Sequence, residues 1–378
     1  MDWIARPSFL SRIERAFKTH SVVALLGPRQ CGKTTLSRAF IEGKVGVHIF
    51  DLEDPTHLAI LENPKTALEP LEGVVIIDEI QRLPDLFPLL RVLVDQPKNR
   101  KKFLILGSAS RDLIKQSSET LAGRIAYIEL TPFSFHEVDH MDTLWLRGGF
   151  PHSYLAETIE DSVYWRQQYI STFLERDIPN LGIRIPPLTL RRFWTMLAHY
   201  HGQSFKASEI GKSLGVSDTT ARHYLDILTG SFMMRQLLPW FVNTKKRQVK
   251  APKIYFRDSG IYHTLSGITD RSSLLYHPKL GASWEGFALE EIIRSYQADP
   301  EECFFWGIHG QAELDLLIMK NGKRFGFECK FKDAPRLTQS MELAVEMLEL
   351  DTLEVIYPGD KDYALGDKIF VRSLVSAL

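Results

Sequence analysis

Val22-Val23-Ala24-Leu25-Leu26, Gly73-Val74-Val75-Ile76-Ile77 and Phe103-Leu104-Ile105-Leu106 are runs almost without a polar residue. Unbroken apolar runs of this length are the mark of parallel strands covered on both faces. Between the last two, Leu89, Leu90, Leu93 and Val94 recur at a 3.6-residue period, which predicts a helix from Leu86 to Asp95, its start bracketed by Pro84 and Pro88. The alternation predicts a parallel α/β layer over residues 1–140 and stops near Thr131-Pro132. Residues 141–189 read as a helical lid. Tyr164, Trp165, Tyr169 and Phe173 are its expected core, and Pro179, Pro186 and Pro187 mark a joint.

The pattern over residues 190–258 predicts a winged-helix unit. Phe205 to Leu214 suits a short helix, Gly215-Val216-Ser217 a turn, and Ser217 an N-cap for a second helix running to Leu228. Asp218, Thr219, Thr220 and Arg222, early in that helix, would meet base edges, with Asp218 a poor neighbour for phosphate. Strands near 232–238 and 253–256 would make the wing. In 259–378, two alternating runs flank Asn321-Gly322, a strong hairpin-turn signal.

Composition adds three constraints. The chain has 378 residues, 44% hydrophobic and 25% charged, enough for more than one core. A net charge of −1 gives no global attraction to nucleic acid, so binding would rest on local patches. Such a patch lies between Ser231 and Arg257, where Arg235, Lys245, Lys246, Arg247, Lys250, Lys253 and Arg257 occur without an acid. Lys245, Lys246, Arg247, Lys250 and Lys253 are its candidate nucleic-acid contacts. Cys31, Cys303 and Cys329 form no disulfide framework and read as reduced thiols. With no apolar run near about 18 residues and no signal-peptide opening, the expectation is a cytoplasmic protein without a membrane partner.

Gly27-Pro28-Arg29-Gln30-Cys31-Gly32-Lys33-Thr34 is a complete phosphate loop between a strand and a helix start. Its backbone N–H groups, with Thr35 following, are expected to cradle ATP phosphates. Lys33 would reach the β/γ-phosphates and Thr34 would take one Mg²⁺ position. At the end of the second apolar run, Asp78 would hold Mg²⁺ directly or through water, and Glu79 would polarise the attacking water. Ser108 would sense the γ-phosphate or hold that water. Arg124 is a candidate transition-state cation, in cis or from a neighbouring subunit of a homo-oligomer.

A second constellation sits in the predicted hairpin. With Asn321 and Gly322 central to the turn, Lys320 faces Lys323, Asp315 faces Glu328 and Glu313 faces Lys330, all on one side by the two-residue period. Facing carboxylates call for a cation, so Asp315 and Glu328 are candidate Mg²⁺ ligands, joined by Glu285 or, second, Glu290 from a preceding helix. Lys330 would orient or deprotonate water, or stabilise a charged transition state. The arrangement is that of a PD-(D/E)xK nuclease, and Gln339 is a weaker addition.

GPRQCGKTT, VVIIDEIQRLPDLFPLLRVLVD with Gln81 and Asp95, LAGR, LTPFSFHE, RGGFP, FLERDI, PKIYFRDSG and the ELD…ECK pair together resemble a prokaryotic family of AAA-type (AAA_14) ATPases with a DUF4143 C-terminal region. The likeness runs over nearly the whole chain. It implies an ASCE-type nucleotide site, a winged-helix unit and a PD-(D/E)xK-like α/β terminal domain. Cys31 departs from the small residue more usual there, which makes oxidation-sensitive ATP binding an expectation. The reading is an ATPase that grips or remodels DNA, preferably branched or broken, with the terminal domain contacting or cutting it. Its rivals are a regulatory switch with an inert terminal scaffold, and a toxin-like nuclease restrained by ATP.

Overall fold

The computed structural model describes residues 4–97, 99–109, 121–242 and 248–378. They divide into two units, one of Met1–Phe133, Ser171–Ile185 and Asp226–Met233, the other of Ser134–Ile170, Pro186–Leu225 and Met234–Leu378.

The first unit is a five-stranded parallel sheet: β1 (Val22–Leu26), β2 (Val47–Asp51), β3 (Gly73–Asp78), β4 (Lys101–Gly107) and β5 (Ile125–Glu129), in the order β2-β3-β4-β1-β5. The helices that matter here are α1 (Pro7–Thr19), α2 (Lys33–Ile41) and α3 (Leu86–Val94). The unbroken apolar runs have a direct cause. Val22, Ala24 and Leu26 enter a core with Val75, Ile77, Phe103 and Leu90. Val23 and Leu25, on the opposite face, pack with Ile13 of α1, Leu36 of α2 and Leu104. Both faces are dry, so alternation is lost, and each buried aliphatic is worth about 1.5–3 kcal/mol over exposure. Strand β4 lies between β1 and β3, so the segments after β1, β3 and β4 share the C-terminal edge of the sheet, where open α/β sheets take ligands. Residues Phe173–Asp177 form a π-helical turn.

The second unit holds α4 (Met141–Arg147), the greater part of α5 (Ile159–Thr172), α6 (Pro187–His199), α7 (Ala207–Leu214), the first eight residues of α8 (Asp218–Gly230), α9 (Ser259–Leu265), α10 (Leu280–Ser295) and α11 (Gln339–Leu348), the ends of α5 from Ser171 and of α8 from Asp226 belonging to the first. Its strands are β6 (Gln203–Ser204), β7 (Met234–Pro239), β8 (Lys253–Phe256), β9 (Cys303–Ile308), β10 (Ala312–Lys320), β11 (Lys323–Cys329), β12 (Thr352–Tyr357), β13 (Tyr363–Ala364) and β14 (Ile369–Ser373). They form one sheet in the order β13-β14-β12-β11-β10-β9-β7-β8-β6. The predicted boundary at residue 258 therefore divides a sheet that is continuous, because Leu238 and Pro239 of β7 pair with Phe304 and Phe305 of β9. Ser217 caps α8 as expected, its hydroxyl accepting from the Thr220 N–H at 3.1 Å.

The aromatic stretch is core only in part. Tyr169 and Phe173 are buried, but Tyr164 is 64% exposed and Trp165 half-buried, stacked on Tyr169. The helix turns Tyr164 outward, since neighbours Trp165 and Tyr164 cannot share a face. Among the described residues no helix is long and apolar enough to cross a membrane.

Candidate nucleotide site and carboxylate cluster

The phosphate loop occupies the turn between β1 and α2. A Cβ on Gly27 would lie 2.1 Å from the Leu130 carbonyl oxygen, so only glycine fits where the loop leaves β1. Gly32 enters α2 at φ +97°, a conformation side chains resist. Lys33 is buried and donates to the carbonyls of Gly27 (3.0 Å) and Pro28 (2.9 Å), drawn over the loop it belongs to. Thr34 and Thr35 are exposed at the first turn of α2. The Thr34 hydroxyl donates to Asp78 at 2.7 Å. Burial pushes the Asp78 carboxyl up, offset in part by that bond, so a cation placed here relieves a desolvated acid. Thr34 and Asp78 thus fit Mg²⁺, which takes one or two carboxylates with waters and phosphate oxygens.

Glu79 adopts φ +56°, rare for a side-chain-bearing residue and costing about 1–3 kcal/mol. That kink at the end of β3 aims its carboxylate at two partners. Gln81 donates its amide to Glu79 and to the Ser108 hydroxyl (2.9 Å), and Ser108 donates to Glu79 at 3.4 Å. Ser108 thus lies beside Glu79. Gln81, noticed in the sequence only as part of a string, orients both. Gln30 takes φ +60° within the loop.

Arg29 makes contacts that the motif did not foretell. Its guanidinium donates to Asp177 at 2.7 Å and Glu53 at 2.5 Å and lies 3.9 Å from Glu79. Burial works against this charge, but Asp177 and Glu79 outweigh it and hold Arg29 protonated above its ordinary range.

Two expectations about this unit are corrected. Arg124 precedes β5, where Val22 of β1 pairs with Ile125, so it stands at the sheet edge opposite the phosphate loop. There it binds Asp95 at 2.6 Å, which removes it as a cis cation for the nucleotide. Cys31 is 1% exposed with its thiol against the Leu130 carbonyl (3.5 Å), and burial pushes its pKa up, so it is not the reactive thiol expected.

In the second unit, Asn321 (φ +53°) and Gly322 (φ +75°) make the turn, and pairing runs from Lys320 with Lys323 to Leu316 with Phe327. Asp315 and Glu328 do come together: Lys330 Nζ lies 2.6 Å from Glu328 and 3.8 Å from Asp315. Strict alternation fails on β10, however. Its pairing with β9 shifts register between Leu314 and Leu317, and both leucines enter one apolar cluster three residues apart.

Lys253, expected as an exposed DNA contact, is instead 5% exposed on β8. Its ammonium bonds Glu313 and lies 3.4 Å from Asp315 and 3.7 Å from Glu285. Glu285 accepts from the Tyr255 hydroxyl at 2.6 Å. Burial raises Glu285 to about 7 and Glu328 to about 8, with Asp315 adding to both. Asp315 itself is pushed up by burial but pulled further down by Lys253 and Lys330, and stays ionised. Glu290, the alternative ligand, is held by Arg235 and Arg257, which overcome burial and keep it at about 2.

Three members of the basic run, Arg235, Lys253 and Arg257, are therefore internal counterions. Lys250 is exposed, and Lys245, Lys246 and Arg247 lie outside the described residues. Among the described residues no group of three or more His, Cys, Asp or Glu is arranged to hold a metal. Glu285, Asp315 and Glu328, read as metal ligands, have lysine ammoniums between them and in this arrangement do not fit Mg²⁺. Gln339 begins α11, whose neighbour Ser340 donates to the Glu313 carbonyl (3.1 Å).

A family model described as an AAA domain matches residues 19–139. Two domains of unknown function, DUF8612 and DUF4143, match residues 138–272 and 280–376. The chain is 49% identical over 369 residues to an uncharacterized protein of Mycobacterium tuberculosis, spanning 97% of this chain and 83% of that relative, with the same figures for one of Mycobacterium bovis. Among solved structures, the Walker-type ATPase of Pyrococcus abyssi gives a TM-score of 0.49 at 15% identity, over 70% of this chain and 96% of that one.

Proposed function

Since the chain belongs to a family of AAA-type ATPases with a DUF4143 C-terminal region, we propose that it binds and hydrolyses ATP and uses turnover to grip or remodel DNA. The observation that carries the hydrolytic reading is Glu79, held by Gln81 and Ser108 beside the Thr34–Asp78 pair at the C-terminal edge of the parallel sheet. Backbone N–H groups at the start of α2 and the Lys33 ammonium receive the phosphates. Mg²⁺, held by Thr34 and Asp78, would neutralise charge on the β- and γ-phosphates. Glu79 takes the proton of the attacking water.

The DNA part of the reading is supported by the element order α6-β6-α7-α8-β7-β8, that of a winged helix, with Asp218, Thr219 and Arg222 exposed on α8 and Lys250 exposed before β8. The order α10-β9-β10-β11-α11-β12, with Asp315, Glu328 and Lys330 in contact, supports a PD-(D/E)xK-like terminal domain. Branched or broken DNA is the preferred substrate of this reading. ATP turnover measured with junction, duplex and single-stranded DNA at rising salt tests it: stimulation and a salt-dependent affinity are expected, and their absence sinks the DNA claim.

Lys253 favours a second reading, in which the terminal domain is a binding scaffold without cleavage activity and the ATPase acts as a regulatory switch. An ammonium seated among Asp315, Glu285 and Glu313 supplies the charge a divalent ion would. Incubation of wild type and Asp315→Ala with Mg²⁺ and labelled junction DNA separates the two. Scission by wild type that is lost in the variant overturns the scaffold reading.

A further inference from the structure

Arg29 is the third residue of the phosphate loop, and one guanidinium there answers three carboxylates: Asp177, Glu53 and Glu79. The acids outnumber it, so the group is already crowded with negative charge before any phosphate arrives. Asp177 is only 9% exposed and is delivered by the π-helical turn Phe173–Asp177, a type of insertion that re-aims side chains at functional sites. Glu53 follows β2, the neighbour of β3. All three acids belong to the same unit as the loop.

We propose that Arg29 is the cis-acting catalytic cation of hydrolysis, exchanging Asp177 for the γ-phosphate when ATP is loaded. The proposal rests on the ATPase reading above and deepens it. In the step, the water oxygen forms a bond to the γ-phosphorus while the bond from that phosphorus to the β,γ-bridging oxygen breaks. ADP keeps the electron pair, Glu79 takes the water proton, and Arg29 moves no proton but neutralises charge on the phosphoryl oxygens. Two facts favour Arg29. It stands 3.9 Å from Glu79, so whatever water Glu79 polarises lies within reach of the guanidinium. Arg124, the other arginine considered for this role, stands at the far edge of the sheet and is paired with Asp95. Asp177 is a positioning residue: it holds the guanidinium in place at rest and competes with phosphate for it.

A purely structural tether between the loop and residues 173–177 predicts something different. Its loss weakens ADP and ATP binding alike and lowers the melting temperature. A catalytic cation is silent towards ADP, which lacks the γ-phosphate, and is felt by ATP and by the planar analogue ADP–aluminium fluoride.

The test uses the full chain with Mg²⁺ and three variants, R29A, R29K and D177N. Steady-state phosphate release is measured together with binding of ADP, ATP and ADP–aluminium fluoride. R29A is expected to turn over about 10²–10³-fold more slowly, the usual cost of one lost transition-state donor, with ADP affinity within about threefold of wild type and the fluoride complex lost. R29K keeps the charge without the fork and is expected to recover only a small part of the rate. D177N frees the guanidinium and is expected to tighten ATP about tenfold with ADP unchanged. Wild-type turnover in R29A, or equal loss of ADP and ATP binding, overturns the role of Arg29. Should R29A melt early, R29K carries the test, and its turnover at the wild-type rate overturns the proposal. A wild-type chain that binds no ATP overturns the ATPase reading itself, an outcome distinct from an active wild type indifferent to R29A.

Discussion

The Lys253 ammonium lies 3.4 Å from the Asp315 carboxylate, and both side chains are more than nine-tenths buried. A cation from β8 thereby neutralises an acid on β10, while Glu313 of the same strand and Glu285 of helix α10 press on the same ammonium. Removing one partner of a buried pair leaves the other charge desolvated and unpaired. Lys253→Met is therefore expected to lower the unfolding free energy by about 3–5 kcal/mol at neutral pH. Urea denaturation checks this, and an unchanged midpoint would show the pair to be dispensable.

The same cluster sets a pH dependence. Glu328 at about 8 and Glu285 at about 7 are raised from 4.5, so the folded chain retains protons that the unfolded chain has released. Their contribution is complete below 4.5 and is lost as pH rises through 7 and 8. Burial depresses His201 and His263 from 6.5 to about 3, which acts in the opposite direction below 6.5. The window between 6.5 and 8 therefore belongs to the glutamates. Stability should fall there by roughly 2 kcal/mol, and Glu328→Gln should flatten the upper part of the decline. Denaturant titrations at closely spaced pH values decide it, and a rising curve would contradict the assignment.

Glu79→Gln keeps the shape of the kinked residue and its place beside Gln81 and Ser108 while losing the base. Hydrolysis should slow about 10²–10⁴-fold with ATP still bound. Filter retention of labelled ATP alongside phosphate release checks both halves. Undiminished turnover would remove Glu79 from the chemistry.

Gly27→Ala would push a methyl to 2.1 Å from the Leu130 carbonyl oxygen, which is backbone and cannot yield cheaply. The loop must shift, so ATP affinity should drop at least about tenfold and stability by about 1–3 kcal/mol. Calorimetric titration with ATP and a thermal melt read the two effects, and normal affinity would mean that the loop has room to shift away from the Leu130 carbonyl.

The nucleotide site was legible because its parts are local. A loop, two strand ends and a helix start carry Lys33, Thr34, Asp78 and Glu79, and apolar runs place the strand ends on one edge. The hairpin was legible for the same reason: Asn321 and Gly322 both need positive φ, and the register follows from them. What escaped was charge pairing over long separations. Arg29 finds Asp177 across 148 positions, Arg235 finds Glu290 across 55, and Lys253 finds Asp315 across 62. A stretch of bases without nearby acids looks like a solvated surface until its counterions arrive from later in the chain. Arg124 escaped for a topological reason, since a residue before a parallel strand lies at the wrong end of the sheet. The shift between Leu314 and Leu317 leaves no sign in an alternating run.

Because β7 lends its Leu238–Pro239 edge to β9, the terminal region is not a detachable module. A fragment cut at residue 259 would strip β9 of its neighbour and bare a row of unsatisfied amides, an invitation to self-association. It would also orphan three acids from their only β8 lysine. Work on the carboxylate cluster in isolation would therefore interrogate a different molecule, with altered charge and a sticky flank.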